Sequence, residues 1–355
     1  MKLLVLPGDG IGPEITFATL EVLSAVDRSL SLGLQIEVAD IGLSSLAAQG
    51  STLPTTVLAR VPQVDGVILG PVSTYEYPPV DQGGLNPSAV LRTKFVLGAN
   101  VRPCRTPPGL PTAHKPMDLI IVREATEGFY ADRNMHAGLP EFMTDPDTAL
   151  SVRKITASAC RRVAHAAFAL AQGRRRRVTA VHKANVLKMT DGLFLREVRA
   201  VAVGYPDVVL DEVIVDAAAA LLIRDPARFD VIVTTNMFGD ILSDEASELS
   251  GGLGLGGSLN IGDDICVAQA QHGSAPDIAG TGKANPTSLI LSAAMLLDWR
   301  GRRDGRDELR EAARRIAAAV EQALADPAAR TADVGGHGTT AGFAAAVVAR
   351  LDQPA

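Results

Sequence analysis

Short apolar runs alternate along this chain with longer stretches of helical spacing. Leu3, Leu4, Val5 and Leu6 form a run that stops at Pro7 and predicts a strand. Residues 11–30 repeat apolar positions at helical intervals, with Ile15, Thr19, Val22 and Val26 on one face. Pro13 falls in the first turn of that helix, where a missing N–H does no harm. The same reading predicts strands over residues 35–41, 66–69, 119–123, 178–182, 208–215 and 231–234. It predicts helices over 151–171, 187–203, 217–223 and 238–249, and after residue 285 over 287–298 and 307–324. Strands separated by helices imply an α/β fold with a mixed, partly parallel sheet. Residues 71–87, rich in Pro, Gly and Tyr, read as a long functional loop. Residues 250–258 read as a flexible glycine-rich turn, and no internal repeat is present.

Composition narrows the function classes. The chain has 355 residues, about two domains by the usual prior. Its 34 Lys and Arg against 40 Asp and Glu give a net charge of −6, which argues against a dedicated nucleic-acid binder. With 47% hydrophobic and 21% charged residues it has the mix of a globular protein with a large core, not of a disordered chain. No apolar run approaches the roughly 18–20 residues that cross a bilayer, and the first residues read as a strand rather than a signal peptide, so no membrane partner is expected. Cys104, Cys160 and Cys266 are odd in number and widely spaced, which fits buried thiols of a reduced, cytoplasmic protein. The four arginines at 174–177 read as a solvated helix-to-strand corner rather than a phosphate site.

Several residues carry chemistry. Gly8-Asp9-Gly10-Ile11-Gly12 lies between a strand and a helix, but it lacks the GxGxxG spacing and continues with Pro13. It reads as a tight turn and is not used to place a cofactor. Asp240 and Asp244 stand four apart at a predicted helix start, so both carboxylates share one face. Such a pair suits a hard divalent ion, and it equally suits helix-start electrostatics. Asp216, at the end of a predicted strand, is a third candidate ligand, whereas Glu245 and Glu248 read as solvent-facing. Arg92, Arg102 and Arg123 lie in mixed or apolar surroundings. Together they suit a di- or tricarboxylate, and singly each suits a structural ion pair. Lys183 at a strand end has the chemistry of a general base and Tyr130 that of a partner acid, the alternatives being a surface lysine and a half-buried tyrosine.

Taken in order, these segments resemble the metal-dependent β-decarboxylating dehydrogenases, the group that acts on isocitrate, 3-isopropylmalate, homoisocitrate and tartrate or D-malate. The resemblance rests on residues 6–14, the three arginines, residues 123–130, Lys183-Ala184-Asn185-Val186, Val215-Asp216-Ala217-Ala218, residues 236–244, 272–280 and 284–286. It spans nearly the whole chain.

The resemblance implies a two-domain isopropylmalate-dehydrogenase-like fold with the active site in the cleft between domains. Residues 1–98 with 253–355 correspond to the larger, cofactor-binding domain. Residues 99–252 correspond to the smaller domain, with the metal ligands and the dimer interface. It further implies a homodimer with shared active sites, in which the partner supplies the residues matching Lys183 and Asp216. Arg92, Arg102 and Arg123, with Asn86 and Ser88, would bind substrate. Asp216, Asp240 and Asp244 would hold Mg²⁺ or Mn²⁺. Lys183 would take the hydroxyl proton, and Tyr130 would protonate C3 after CO₂ is lost. Ser73, Thr74, Asn185, His272, Gly273, Ala275, Asp277 and Asn285 match the cofactor-binding positions. An acid at Asp277, with no cation at Ile278, resembles the NAD type, because a carboxylate repels a 2′-phosphate.

The substrate implied is a C3-substituted malate. Chain length and segment spacing are nearest the 3-isopropylmalate enzymes, with isocitrate, homoisocitrate and tartrate or D-malate as alternatives. Ser88 and Ala89 replace the leucines of the isopropylmalate enzymes, and Asn86 with Ser88 has the residue types of the isocitrate enzymes in swapped order. Ala125 and Thr235 also depart from the usual pattern. A non-catalytic regulatory relative usually lacks one of the residues matching Lys183, Tyr130, Asp216, Asp240 or Asp244; all are present.

Overall fold

A computed structural model describes residues 1–353 apart from 111, 113 and 131–134. In chain order its elements begin with β1 (Lys2–Leu6), α1 (Gly12–Leu30), β2 (Gln35–Val38), α2 (Gly42–Gln49), α3 (Thr55–Arg60), β3 (Gly66–Leu69) and α4 (Pro87–Lys94). The middle segment supplies β4 (Ala99–Arg105), β5 (Asp118–Glu124), β6 (Glu141–Asp145), β7 (Thr148–Ser151), α5 (Ala157–Gln172), β8 (Arg177–His182) and α6 (Thr190–Ala202). It continues with β9 (Val209–Ile214), α7 (Val215–Arg224), β10 (Val231–Thr234) and α8 (Asn236–Ser250). The last segment holds β11 (Leu259–Ile261), β12 (Cys266–Gln269), α9 (Thr287–Asp304), α10 (Asp307–Ala325) and α11 (Thr340–Val348).

Ten strands form one mixed sheet in the order β2-β1-β3-β12-β11-β4-β5-β10-β8-β9. The first five positions come from the two ends of the chain and the last five from its middle. Antiparallel pairing of β11 with β4 joins the two halves; β11 with β12 and β4 with β5 are also antiparallel, and all other pairings in the sheet are parallel. Helices cover both faces, as a sheet with buried parallel strands requires. In the end-derived half, α1, α9, α10 and α11 pack one face around Ile15, Val22, Leu296, Ile316 and Phe343, and the other face holds Leu4, Leu6, Val57, Leu69 and Leu91. In the middle half, α5 and α6 bury Val163, Phe168, Phe194 and Val198, and α7 and α8 bury Leu222, Leu242 and Ala246. Truncating a core residue such as Ile15, which is fully buried, costs about 2–5 kcal/mol.

The periodic segments fold as their pattern predicts, and the departures have local causes. The helix predicted from 151 starts at Ala157, because Thr156 accepts the Ala159 N–H as its cap while residues 148–151 pair with β6. Strand β2 ends at Val38, and the chain turns through Gly42 (φ +76°) into α2. Asp216 lies in the first turn of α7, one residue past its predicted strand. Helix α8 starts at Asn236, so Asp240 and Asp244 occupy its second and third turns and its first turn holds no acid. Their pairing is therefore not helix-start electrostatics. Glu245 is half-buried rather than solvent-facing, and burial raises its pKa; Glu248 is exposed. The arginine corner is structural: Arg174 bonds Asp230 at 2.8 Å and Asp118 at 2.8 Å. All three cysteines are free and buried. Among the described residues no helix is long and apolar enough to cross a membrane.

Candidate active site

The strand β4 carries the first part of the site. Its sequence includes Asn100, Arg102 and Pro103, which hide the strand from a search for apolar alternation. Long-range partners make their burial tolerable. Asn100 donates to Ser258 Oγ at 2.8 Å and accepts from Arg102 Nε at 2.7 Å. Arg102 also donates to Ser243 Oγ at 2.7 Å and to Asp244 Oδ1 at 2.9 Å, and its other terminal nitrogen is 3.4 Å from Asp240. On the adjacent β5, Arg123 donates to Asn236 Oδ1 at 2.6 and 2.9 Å and pairs with Asp240. Its side chain is only 3% exposed. Burial, with the neighbouring Arg102 cation, brings its pKa down to about 10, so it still carries its charge at neutral pH. Helix α8 reaches this guanidinium because residue 239 is glycine: a Cβ there would lie 2.6 Å from that of Arg123. Tyr130 completes the cluster, donating to Asp240 Oδ2 at 3.1 Å with Arg123 stacked 5.6 Å above its ring.

Arg102 also lines a cavity of about 230 Å³ with Thr74, Asn86, Ser88, Arg92 and Gln269. Asn86 caps α4 by accepting the Ala89 N–H at 3.1 Å, and Arg92 Nε donates to Asn260 Oδ1 at 2.9 Å. The structure thus places Asn86, Ser88, Arg92 and Arg102 around one space, with Arg123 behind Arg102. Gln269 and Gln271, both on this wall, escaped the sequence reading, since an isolated glutamine after an apolar strand carries no signal of its own.

A second cavity of about 260 Å³ adjoins the first through His272 and Gly273. Ala275, Ile278, Lys283, Asn285 and Ile11 also line it. Asn285 donates to Asp333 at 2.9 Å, and Ala275 sits at φ +37°, a conformation that costs a non-glycine residue energy. His272 bonds Gly273 O through Nδ1, and burial lowers its pKa, which keeps the imidazole neutral at pH 7. Its Nε2 is buried and has no hydrogen-bond partner among the described residues. Asp277 is exposed on the turn Pro276–Ile278, beside the cavity but not in its lining. Ser73 bonds Ser274 Oγ at 2.9 Å and donates its N–H to Asp9 at 3.0 Å. Asp9 also accepts from Leu43 N at 2.7 Å and from the Tyr77 hydroxyl. The turn at Gly8 and Gly10 allows this closeness: a Cβ on either would lie 2.2 or 2.0 Å from a carbonyl oxygen of Pro71 or Ser274.

Lys183 and Asp216 form their own ion pair, which holds the Asp216 carboxyl below its usual range. The Lys183 backbone N–H donates to the fully buried Asp191 at 2.5 Å. Asp191 in turn pairs with Arg153, whose guanidinium lies 5.3 Å from the Phe238 ring and 5.9 Å from that of Phe129. Neither Asp191 nor Arg153 has a recognisable sequence signal. Asn185 is exposed and lines neither cavity. Asp216 does not join Asp240 and Asp244: among the described residues no three carboxylate, imidazole or thiol side chains lie close enough to hold a metal ion.

The donor chemistry fits the groups the resemblance implies. Asp240 and Asp244 offer hard carboxylate oxygens, 32% and 50% exposed, where a divalent cation takes oxygen ligands. The second cavity, with its orphaned His272 nitrogen, the apolar Ile11 and Ile278, and the polar Lys283 and Asn285, fits a nucleotide.

An α/β sheet of this order, with guanidinium pairs beside a carboxylate pair at its centre, defines a class of protein that handles small anionic acids. The family model for isocitrate/isopropylmalate dehydrogenase matches residues 2–347, and the chain belongs to that family. It is 40% identical over 353 residues to the isocitrate/homoisocitrate dehydrogenase of Thermus thermophilus, covering 99% of this chain and 98% of that one. It is 39% identical to the 3-isopropylmalate dehydrogenase of Methanothermobacter thermautotrophicus, covering 99% of each. The crystal structure of isocitrate dehydrogenase from Methylococcus capsulatus superposes with a TM-score of 0.87 at 39% identity over 99% of both chains. The protein is thus an oxidoreductase of the dehydrogenase type.

Proposed function

We propose that the chain is an NAD- and Mg²⁺- or Mn²⁺-dependent dehydrogenase that oxidatively decarboxylates a C3-substituted malate, working as a cytoplasmic homodimer. The observation that carries this reading is the convergence of Arg102, Arg123, Tyr130, Asp240 and Asp244 beside the cavity that Arg92 lines.

Guanidinium forks from Arg92, Arg102 and Arg123 bind the substrate carboxylates, releasing the aspartates they hold in the free protein. Asp240 and Asp244, joined by Asp216 of a second copy, hold the cation. The second cavity receives NAD: His272, Gly273, Ala275 and Asn285 contact it, Ser73 and Thr74 border it, and Asp277 accepts from the ribose hydroxyls. When bound, NAD would supply a hydride acceptor in the cavity lined by His272, and a cation held by Asp240 and Asp244 would supply Lewis-acid chemistry toward a developing alkoxide. Lys183 takes the hydroxyl proton, and after CO₂ leaves, Tyr130 delivers a proton to C3.

The dimer reading has its own support. Lys183 and Asp216 form a pair separate from the Asp240 and Asp244 carboxylates. The β6–β7 hairpin is exposed along both strands, with Phe142 at 47%, Met143 at 61% and Leu150 at 44% exposure. A two-stranded hairpin with such side chains is marginal alone in water. A second copy laid against it covers the apolar face and brings Lys183, Asp216 and Asn185 to the neighbouring cleft. Residues 99–252 then form the dimerising, metal-holding domain, and residues 1–98 with 253–355 the cofactor domain.

The test is NADH formation coupled to CO₂ release from a panel of C3-substituted malates with NAD and Mn²⁺. Product is expected from at least one acid and none in excess chelator. Full turnover in chelator overturns the metal assignment.

A further inference from the structure

Gln271 belongs to the end-derived half of the molecule, yet its side chain is bonded to the middle half. It follows β12, lines the cavity beside Arg102, and donates its backbone N–H to Ser288 Oγ at 3.0 Å. Its amide nitrogen reaches α8, donating to Ser247 Oγ at 2.7 Å and, at 3.3 Å, to both Ser243 O and Asp244 Oδ1. An atom facing a hydroxyl, a main-chain carbonyl and a carboxylate is the NH₂ end of the amide, because the flipped group would set oxygen against oxygen at two of the three. The amide oxygen therefore points the other way, where it is buried with no hydrogen-bonding partner among the described residues. Glycine at 256 makes room for it: a Cβ there would lie 2.5 Å from this oxygen. A buried acceptor without a partner destabilises a fold, and an apolar side chain of the same length would avoid that cost. The contacts of the nitrogen are what glutamine adds at this position.

Among the described residues the Asp244 carboxylate has one other side-chain donor, Arg102 at 2.9 Å. The two donors differ in charge. A guanidinium on the carboxylate repels an arriving cation, and substrate carboxylates compete for it. A neutral amide orients the same oxygen without opposing the cation.

We propose that Gln271 is a positioning residue that holds the Asp244 carboxylate for the divalent cation through its amide N–H. The proposal rests on the cation assignment made above and adds to it a residue outside the ligand set. Ser247 anchors the amide, and the Ser288 bond anchors the backbone that carries it, so the donor stays in place when Arg102 turns to substrate.

The experiment measures the binding of Mn²⁺ alone to the full-length protein, by electron paramagnetic resonance of the free ion, and of NAD alone by calorimetry. Native protein is compared with Gln271→Met, an uncharged side chain of similar length with no donor. Gln271→Met should weaken Mn²⁺ binding on the order of tenfold, the lower end of the range for loss of a group that orients a metal ligand. NAD affinity should stay within about twofold of native, since the amide faces α8 and not the second cavity. The melting temperature should hold or rise, because the orphaned oxygen is gone. Gln271→Asn keeps an amide on a stem one carbon shorter, too short to span to Asp244. It should lose Mn²⁺ affinity likewise, and it carries the test should the methionine variant not fold. Unchanged Mn²⁺ affinity overturns the proposal. So does a parallel loss of Mn²⁺ and NAD affinity, which would assign the effect to a general disturbance of residues 271–273. No Mn²⁺ binding by the native protein overturns the cation assignment itself, and the proposal with it.

Discussion

The middle half of the sheet carries two ionic groups built in opposite ways. Around Asp240, two guanidiniums from neighbouring strands are 7% and 3% exposed, each fixed by side chains far away in sequence. Asn100, Ser243 and Asn236 hold them before any ligand arrives. Lys183 and Asp216 have 27% and 59% exposed side chains, with only the Lys183 backbone tied down, by Asp191. The first group is complete within one chain: its geometry follows from how β4, β5 and α8 pack. The second is an ion pair left partly open to solvent, and the β6–β7 hairpin of the same half is likewise exposed, with Phe142, Met143 and Leu150 uncovered among the described residues. On the proposed reading the first is an anion-binding half-site and the second an open half-site that a second copy would complete.

The largest expected effect breaks the second half-site. Lys183→Met should lower kcat by about 10²- to 10⁴-fold, the range for loss of a general acid–base group. Mixing it with Asp240→Asn subunits should restore part of the activity, because the heterodimer then contains one intact site. Verified heterodimers without recovery would show that each site is built from one chain.

Next, the cofactor side tests whether an exposed acid acts as part of a site. Asp277 should favour NAD over NADP by about 2–4 kcal/mol, on the order of 30- to 1000-fold in kcat/KM. Asp277→Lys with Ile278→Tyr should shrink or reverse the preference. Equal kcat/KM for the two cofactors in the native protein would mean that Asp277 does not face the ribose.

A smaller effect belongs to the hairpin. Phe142→Asp places a charge in the expected interface and should weaken dimerisation by roughly ten- to a hundredfold, seen by sedimentation, with activity falling in step with the dimer fraction. Full activity in a monomeric variant would separate catalysis from assembly.

The smallest effect is electrostatic and lies next to the preassembled cluster. Burial pushes the Glu127 carboxyl from 4.5 up to about 7; Thr156 donors oppose this and Glu124 adds to it. A carboxyl with a raised folded-state pKa binds its proton more tightly when folded. Its stabilising contribution is therefore present below about pH 4.5 and is lost as pH rises through about 7. Thermal unfolding between these values should show a decline with pH that Glu127→Gln flattens, the melting temperature moving by about 2–4 °C per kcal/mol. An identical slope in the variant would assign the decline to other groups.

Much of the molecule was readable as pattern. The core face of α1, the parallel strands β3, β5, β8 and β10, and the long helices α9 and α10 follow from apolar periodicity, because burial of one face is what stabilises them. The motif positions around Asp240, Lys183 and His272 stood out by type and spacing. Strand β4 did not, since Asn100, Arg102 and Pro103 carry no strand signal until partners from β11 and α8 satisfy them. Nor did the Asp191–Arg153 brace or the cavity wall at Gln269, whose meaning lies in who donates to whom.

The sequence by itself determined the family and the α/β architecture and marked out the candidate reactive groups, because local periodicity and residue chemistry are encoded locally. The assembly of those groups was a tertiary matter. That Arg102 and Arg123 meet at Asp240, that Asp216 instead pairs with Lys183, and that Gln269 accepts from Ser88 at the cavity wall all depend on contacts across more than thirty residues, up to 181 for Ser88 with Gln269. Such contacts are fixed by which strands lie side by side in the sheet, and no window of sequence contains that order.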